Sequence, residues 1–321
     1  MIRIPPGTAL PGISQKVLVL YRVNIQIIHQ NWIENTLQIL YTVMCRICVR
    51  RVAFHPSDSD RKKEIYMVFY GKTDVGMKRA VNQDNFIIRA YSPEVLTTVV
   101  CDGMGGANGG SVASALAARA FMDVLDNRQS QYPLFRDMSE EEICDMLVEA
   151  SIEANRAVYR KGNADQSLSG MGTTLVGCLV LPETIYTINV GDSRMYLTGN
   201  GTIRQVTHDH SYVQYLVDIG KLTPTEAKNS RNRNIITRAV GTERTVNADV
   251  FTTPHADFRG EYIVLCSDGL TNHVEPEEIG TILNQCRHND GDSLRLACEE
   301  LVEKANERGG SDNITAVIAS V

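Results

Sequence analysis

An apolar, β-branched run at residues 96–101 stops at Asp102 and gives way to Gly103-Met104-Gly105-Gly106-Ala107-Asn108-Gly109-Gly110, after which an alanine-rich stretch begins. That order predicts a buried strand, an open turn with a carboxylate at the strand end, and a long helix over residues 111–127. The pattern recurs at Ile263-Val264-Leu265-Cys266-Ser267-Asp268-Gly269, again an apolar run ending in Asp-Gly. Further strands are expected at residues 65–70, 86–90, 171–181, 184–190, 195–197, 261–266 and 314–321, with Gly199-Asn200-Gly201 as a hairpin turn. Helical spacing predicts helices over residues 139–161, 211–220, 225–228, 277–285 and 293–306; Ser139 with Glu142 forms a capping box at the start of the first. Runs of strands grouped apart from long helices point to an α+β arrangement of layers rather than a doubly wound parallel sheet. The short helices and polar run after residue 211 read as a small lobe inserted over that scaffold.

Residues 1–65 have a different texture. Pro5-Pro6-Gly7 and Pro11-Gly12 open them, an Ile/Val-rich stretch with rough helical spacing follows, and a polar run at residues 55–63 reads as a linker. This segment is expected to be an appended extension, the alternative being an amphipathic helix from Ile25 to the basic Arg46, Arg50 and Arg51 that lies on a membrane surface or a partner; a chain beginning at Met67 should fold and act alone. It holds two chemical hints. Cys45 and Cys48 make one Cys-x-x-Cys without the second pair a zinc site requires. Cys45 and Arg51 match the bare spacing of a cysteine-phosphatase loop, but the intervening residues are too bulky and β-branched to wrap a phosphate.

Composition narrows the function. The chain has 321 residues, 43% apolar, enough for a sizeable core. Residues 1–66 carry nine Lys/Arg against four Asp/Glu, and the remainder 23 against 34. An acidic main body argues against a nucleic-acid partner and suits cation binding. The eight cysteines are scattered, as expected of buried thiols in a reducing cytoplasm. No apolar run reaches the ~18 residues of a membrane span. Gly103-x-Gly105 fails the dinucleotide fingerprint because position 108 is Asn.

Five aspartates stand beside glycine or at strand ends: Asp84, Asp102, Asp192, Asp268 and Asp312. Carboxylates gathered by a fold repel one another unless a cation neutralises them. Oxygen-only ligand sets suit hard ions such as Mg2+ and Mn2+, and two such ions can activate a water and clamp a phosphoryl group. Arg79, close to Asp84 in sequence, could grip a phosphate bidentately. Any one of these aspartates alone would read as a turn former.

The ordered series carries more than composition does. It comprises Thr73-Asp74-Val75-Gly76, Arg79-x-x-Asn82-Gln83-Asp84, Asp102-Gly103-Met104-Gly105-Gly106, Gly170-Met171-Gly172-Thr173-Thr174 and Val190-Gly191-Asp192-Ser193-Arg194. It continues through Asp209-His210-Ser211, Ile236-Thr237-Arg238-Ala239-Val240-Gly241, Ser267-Asp268-Gly269-Leu270 and Ser311-Asp312-Asn313-Ile314-Thr315. Over residues 66–321 it resembles the bacterial branch of the metal-dependent serine/threonine protein phosphatases, the phosphatase-2C-like family. The resemblance implies a four-layer αββα sandwich of two antiparallel sheets flanked by helices, with a small flap at residues 211–239. It implies that Asp102 bridges two Mn2+ or Mg2+ ions, that the Gly103 carbonyl binds the second, and that Asp268 and Asp312 complete the first. Asp192, with Asp268, resembles a third, weaker ion site, Asp84 would act through metal-bound water, and Arg79 would bind the phosphate.

The implied activity is hydrolysis of phosphoserine and phosphothreonine on proteins by a metal-activated water, in the cytoplasm, by a monomer opposing a serine/threonine kinase. The rival reading is a phosphoprotein-binding module of the same fold with little turnover. Two departures stand out: animal members have histidine where Met104 stands, which leaves the proton donor unassigned, and glutamate where neutral Gln83 stands.

Overall fold

The computed structural model describes residues 67–106, 109–199, 201–254, 262–287 and 290–321. The expectations for residues 1–65, Cys45 and Cys48 among them, lie outside these. Among the described residues two antiparallel sheets stack face to face. One contains β1 (Phe69–Asp74), β7 (Arg194–Gly199), β8 (Thr202–Gln205), β10 (Tyr262–Cys266) and β11 (Ile314–Ser320), in the order β1-β11-β10-β7-β8. The other contains β2 (Asp84–Ser92), β3 (Val95–Met104), β5 (Leu175–Val180), β6 (Thr184–Val190) and β9 (Asp249–Pro254), in the order β2-β3-β5-β6-β9, and the two-residue β4 (Gly172–Thr173) pairs with the end of β3.

The period-two alternation of side chains sorts the core into three layers. Leu96 and Val100 of β3 meet Met195, Leu197, Ile263, Leu265 and Val317 between the sheets. Their neighbours Val95, Val99 and Cys101 face outward onto α1 (Gly109–Gln131) and α2 (Glu140–Ala164). On the opposite side Tyr262, Val264, Ile314, Ala316 and Ile318 pack with α6 (Pro276–Leu283) and α7 (Gly291–Glu307). The result is the expected four-layer sandwich.

The same parity aims the chemistry. Phe86 and Ile88 of β2 pack in the inter-sheet layer, so Asp84 at the start of that strand also faces inward. Asp102 extends the inward series Leu96, Thr98, Val100, and the ladder sets Asp84 directly opposite Asp102. Ser267, after inward Ile263 and Leu265, and Thr315, before inward Val317, face them from the other sheet.

Several boundaries differ from the sequence pattern. The strand carrying Asp102 runs on to Met104, because Gly103 and Met104 pair with Thr173 and Gly172; the aspartate thus sits within a strand rather than after it. The run at residues 171–181 splits at Thr174 into β4 and β5. β1 lies at Phe69–Asp74, where β11 offers six partners, rather than at residues 65–70. β9 was not anticipated: it is an edge strand, largely unburied, with weak alternation. The Ser139 capping box is present, with Glu142 N–H donating to Ser139 Oγ at 3.2 Å and Ser139 N–H to Glu142 Oε2 at 2.7 Å. β7 and β8 pair around the expected hairpin, Gly199 opposite Thr202; Asn200 at its tip lies outside the described residues. Among the described residues no helix is long and apolar enough to cross a membrane.

Candidate metal centre

At the end of the sandwich where β3 meets β4, a cleft of about 210 Å³ opens between the sheets, with Asp102, Asp192, Asp268, Asp312, Arg79 and Gly103 in its wall. Each aspartate arrives on a different element. Asp102 ends the inward face of β3, and Asp192 sits in the turn between β6 and β7. Asp268 begins the single-turn helix α5 (Asp268–Thr271), and Asp312 precedes β11. Four of the five predicted aspartates therefore line one cleft.

Asp84, the fifth, lies behind that wall. Its Oδ2 accepts hydrogen bonds from Ser267 Oγ at 2.7 Å and Thr315 Oγ1 at 2.6 Å, while its Oδ1 is buried without a partner among the described residues. The hydroxyl chain continues through Thr315 Oγ1 to Thr73 Oγ1 at 2.8 Å, which also accepts from Asn82 Nδ2. In Asp268, Oδ2 accepts from Asn272 Nδ2 at 3.1 Å, Oδ1 is buried, and the Asp102 carboxyl lies within hydrogen-bonding reach.

Gly103 is required by close approach. A Cβ there would lie 2.1 Å from the carbonyl oxygen of Gly110 and 2.5 Å from that of Gln83. Its N–H donates to Gln83 O at 3.1 Å, which fastens the Asp102-Gly103 strand to the segment leading into Asp84.

Arg79 stands at the mouth with its side chain half exposed, and Nη2 donates to Asp312 Oδ2 at 2.8 Å. Asn313 is a residue the sequence reading quoted but gave no part. Its side chain accepts from Gln83 N–H at 2.8 Å and donates to Val75 O and Val81 O at 2.9 and 3.0 Å. It thereby fixes the loop that carries Arg79 to the residue beside Asp312. Met104 and Gln83 both line the cleft.

The Asp192 turn is anchored from two sides. Gly191 N–H donates to His210 Nδ1 at 3.1 Å, and the other ring nitrogen lies 3.0 Å from Asp249 Oδ2. Arg238 Nη1 lies 3.1 Å from the same Nε2 and donates to Asp249 Oδ1 at 2.7 Å; burial holds the His210 pKa below the usual imidazole value. Close by, Arg194 grips the buried Asp209 carboxylate with Nε and Nη2, at 2.6–3.0 Å. Beyond Ser211 follow α3 (Tyr212–Asp218) and α4 (Pro224–Lys228). The ends of this segment are joined by the Ser211–Ile236 bridge and by Thr237 N–H donating to His210 O at 2.7 Å, and Asn234 and Ile236 reach the cleft.

The electrostatics describe a site short of positive charge. Burial, then the neighbouring aspartates, raise the carboxyl of Asp102 well above its ordinary value. Burial likewise pushes Asp84 up to about 7, and Asp192, under Asp268 and Asp209, up to about 8. Asp268 is raised by burial and by Asp312. Like charges held this close favour ionisation only beside a cation.

Among the described residues no three acidic, histidine or cysteine side chains are already drawn together into a cage. Zinc would call for such a tetrahedral shell. Mg2+-class ions keep several waters and use one or two carboxylates each, which the carboxylates of Asp102, Asp192, Asp268 and Asp312 in the cleft wall can supply. The residues fit such ions.

Known proteins resemble this chain. A family model described as protein phosphatase 2C matches residues 77–303. The chain is 36% identical over 247 residues to the serine/threonine phosphatase stp of Listeria welshimeri, covering 77% of this chain and 93% of that protein. The crystal structure of the serine/threonine phosphatase Stp1 from Staphylococcus aureus superposes with a TM-score of 0.69 at 30% identity, covering 82% of this chain and 99% of that one. The catalytic domain of the phosphatase PstP, solved in complex with two manganese ions, has a TM-score of 0.65 at 31% identity, covering 79% of this chain and 97% of that one.

Proposed function

The chain belongs to the protein phosphatase 2C family and is a serine/threonine phosphatase; on that premise we propose that its aspartate cleft hydrolyses phosphoserine and phosphothreonine in proteins, in opposition to a serine/threonine kinase. The observation that carries this reading is the convergence of Asp102, Asp192, Asp268 and Asp312 on one cleft with Arg79 at its mouth. We assign residues 66–321 to the catalytic unit and, within it, residues 211–239 to a flap. A monomer suffices, since one chain supplies the whole wall, and the free cysteines suit the cytoplasm.

Asp102, the Gly103 carbonyl, Asp268 and Asp312 would hold two ions of the Mn2+ or Mg2+ class, and Asp192 with Asp268 a third, weaker one. Bound there, such ions supply Lewis-acid polarisation of the phosphoryl group and activation of a water. The protein's own part is positioning. With Oδ2 committed to Ser267 and Thr315, Asp84 keeps Oδ1 to accept a hydrogen bond from water. Arg79 spends one of its donors on Asp312 and has others for phosphate oxygens.

Two experiments test this. With Mn2+, the full chain should release phosphate from a phosphothreonine peptide over many turnovers; binding without release would favour the binding-module reading. Arg79→Ala should raise KM by roughly 10–100-fold, the worth of one or two charge-assisted hydrogen bonds, with a smaller effect on kcat. Arg79→Lys should restore only part of the loss, because an ammonium cannot reproduce the guanidinium fork. An unchanged KM in Arg79→Ala would remove Arg79 from phosphate binding.

A further inference from the structure

The ladder between β3 and the β4–β5 segment has one register on both sides of Asp102: Val100 pairs with Val176, and Gly103 with Thr173. Asp102 therefore faces Thr174, where the ladder is only half made. Thr174 N–H donates to Asp102 O at 2.8 Å as a regular pair would. The return bond, from Asp102 N–H, goes to the Thr174 hydroxyl at 2.9 Å. Asp102 O also accepts from Thr173 Oγ1 at 2.8 Å.

The same hydroxyl reaches the opposite wall. Thr174 Oγ1 lies 2.7 Å from Ser193 Oγ, and Ser193 follows Asp192. Having accepted the Asp102 N–H, Thr174 still has a proton to donate to Ser193. Thr174 and Ser193 are 4% and 0% exposed, so water does not compete for this chain of bonds. The methyl of Thr174 bears on the same turn: a Cβ on Gly191 would lie 2.7 Å from Thr174 Cγ2.

We propose that Thr174 is a positioning residue whose hydroxyl, substituting for a backbone acceptor in the β3 ladder and bonded to Ser193, sets the spacing of Asp102 and Asp192 for divalent-ion binding. The proposal rests on reading the aspartate cleft as an ion site. In a regular ladder the Asp102 amide would be committed to a carbonyl and would carry no link to the Asp192 turn. Here one hydroxyl joins the two, so a change at Thr174 is felt at both aspartates together.

The test is Mn2+ titration of the ion-stripped full chain by calorimetry, with thermal melting alongside. Thr174→Val keeps the methyl and the shape and removes only the hydroxyl. It should bind Mn2+ about 10–100-fold more weakly, the usual consequence of losing an outer hydrogen bond to a metal ligand. Thr174→Ser keeps the hydroxyl and should bind close to the wild type despite losing the methyl. Ser193→Ala cuts the link on its far side and should weaken binding in the same sense; it carries the test if Thr174→Val does not fold. A merely structural role would lower the melting temperature of both Thr174 variants and leave their affinities alike, which would overturn the proposal, as would wild-type affinity in Thr174→Val and Ser193→Ala. If the wild type itself binds no Mn2+, the ion-site reading falls first, and this inference with it.

Discussion

Asp268→Asn should lower phosphothreonine-peptide turnover at saturating Mn2+ by on the order of 10³-fold, because a metal centre is worth several kcal/mol of barrier and each 1.36 kcal/mol is tenfold. The substitution is nearly isosteric. Oδ2 of Asp268 accepts from Asn272, and the Asp102 carboxyl lies within hydrogen-bonding reach, contacts that an amide of the same shape can keep. What the charge does in the ion-free protein is repel Asp102, Asp192 and Asp312. Removing it should therefore raise the melting temperature of the ion-stripped chain while turnover collapses. Added Mn2+ should stabilise the variant less than the wild type, since only ion binding to the native state contributes. Loss of activity with a lowered ion-free melting temperature would point to misfolding and contradict this assignment.

Gly269→Ala should act through the backbone. A Cβ at Gly269 would lie 1.9 Å from the carbonyl oxygen of Asn313, and neither partner is a side chain that can swing away. Either α5, which begins at Asp268, or the Asp312–Asn313 segment must move. Both carry cleft aspartates, and Asn313 also holds the loop of Arg79. Forcing a methyl into such a contact costs roughly 1–3 kcal/mol, and a displacement near 1 Å in a catalytic site costs on the order of 10²-fold in rate. Melting should fall by several degrees, and peptide turnover at a temperature where the protein is fully folded should still be lost. Normal turnover in that variant would show that the Asp268–Asp312 spacing is not critical.

Much of this arrangement is local and therefore readable from the chain. Continuous apolar runs give β3 and β10, the Ser139–Glu142 pair gives the start of α2, and the Asp-Gly turns mark Asp102 and Asp268. What escapes is set by partners far away in sequence. Asp84 is bonded by Ser267 and Thr315, 183 and 231 residues downstream, and no local pattern announces that the three share the inter-sheet layer. Strand β3 runs past its apolar stretch because β4 extends the ladder, and the break at Thr174 arises because a hydroxyl takes the place of a carbonyl. Asn313 lay inside a quoted motif, but its work, bonding Gln83, Val75 and Val81 across the cleft mouth, exists only in the folded chain. β9 escaped because an edge strand beside open surface needs little alternation to pair with β6.

The central claim is that the aspartate cleft performs phosphomonoester hydrolysis with divalent ions. The most direct measurement is phosphate release from a phosphothreonine peptide by the full chain, first stripped with a chelator and then resupplied with Mn2+. Release that stops in chelator and returns with Mn2+ is the predicted result. Release that continues undiminished in chelator would contradict it.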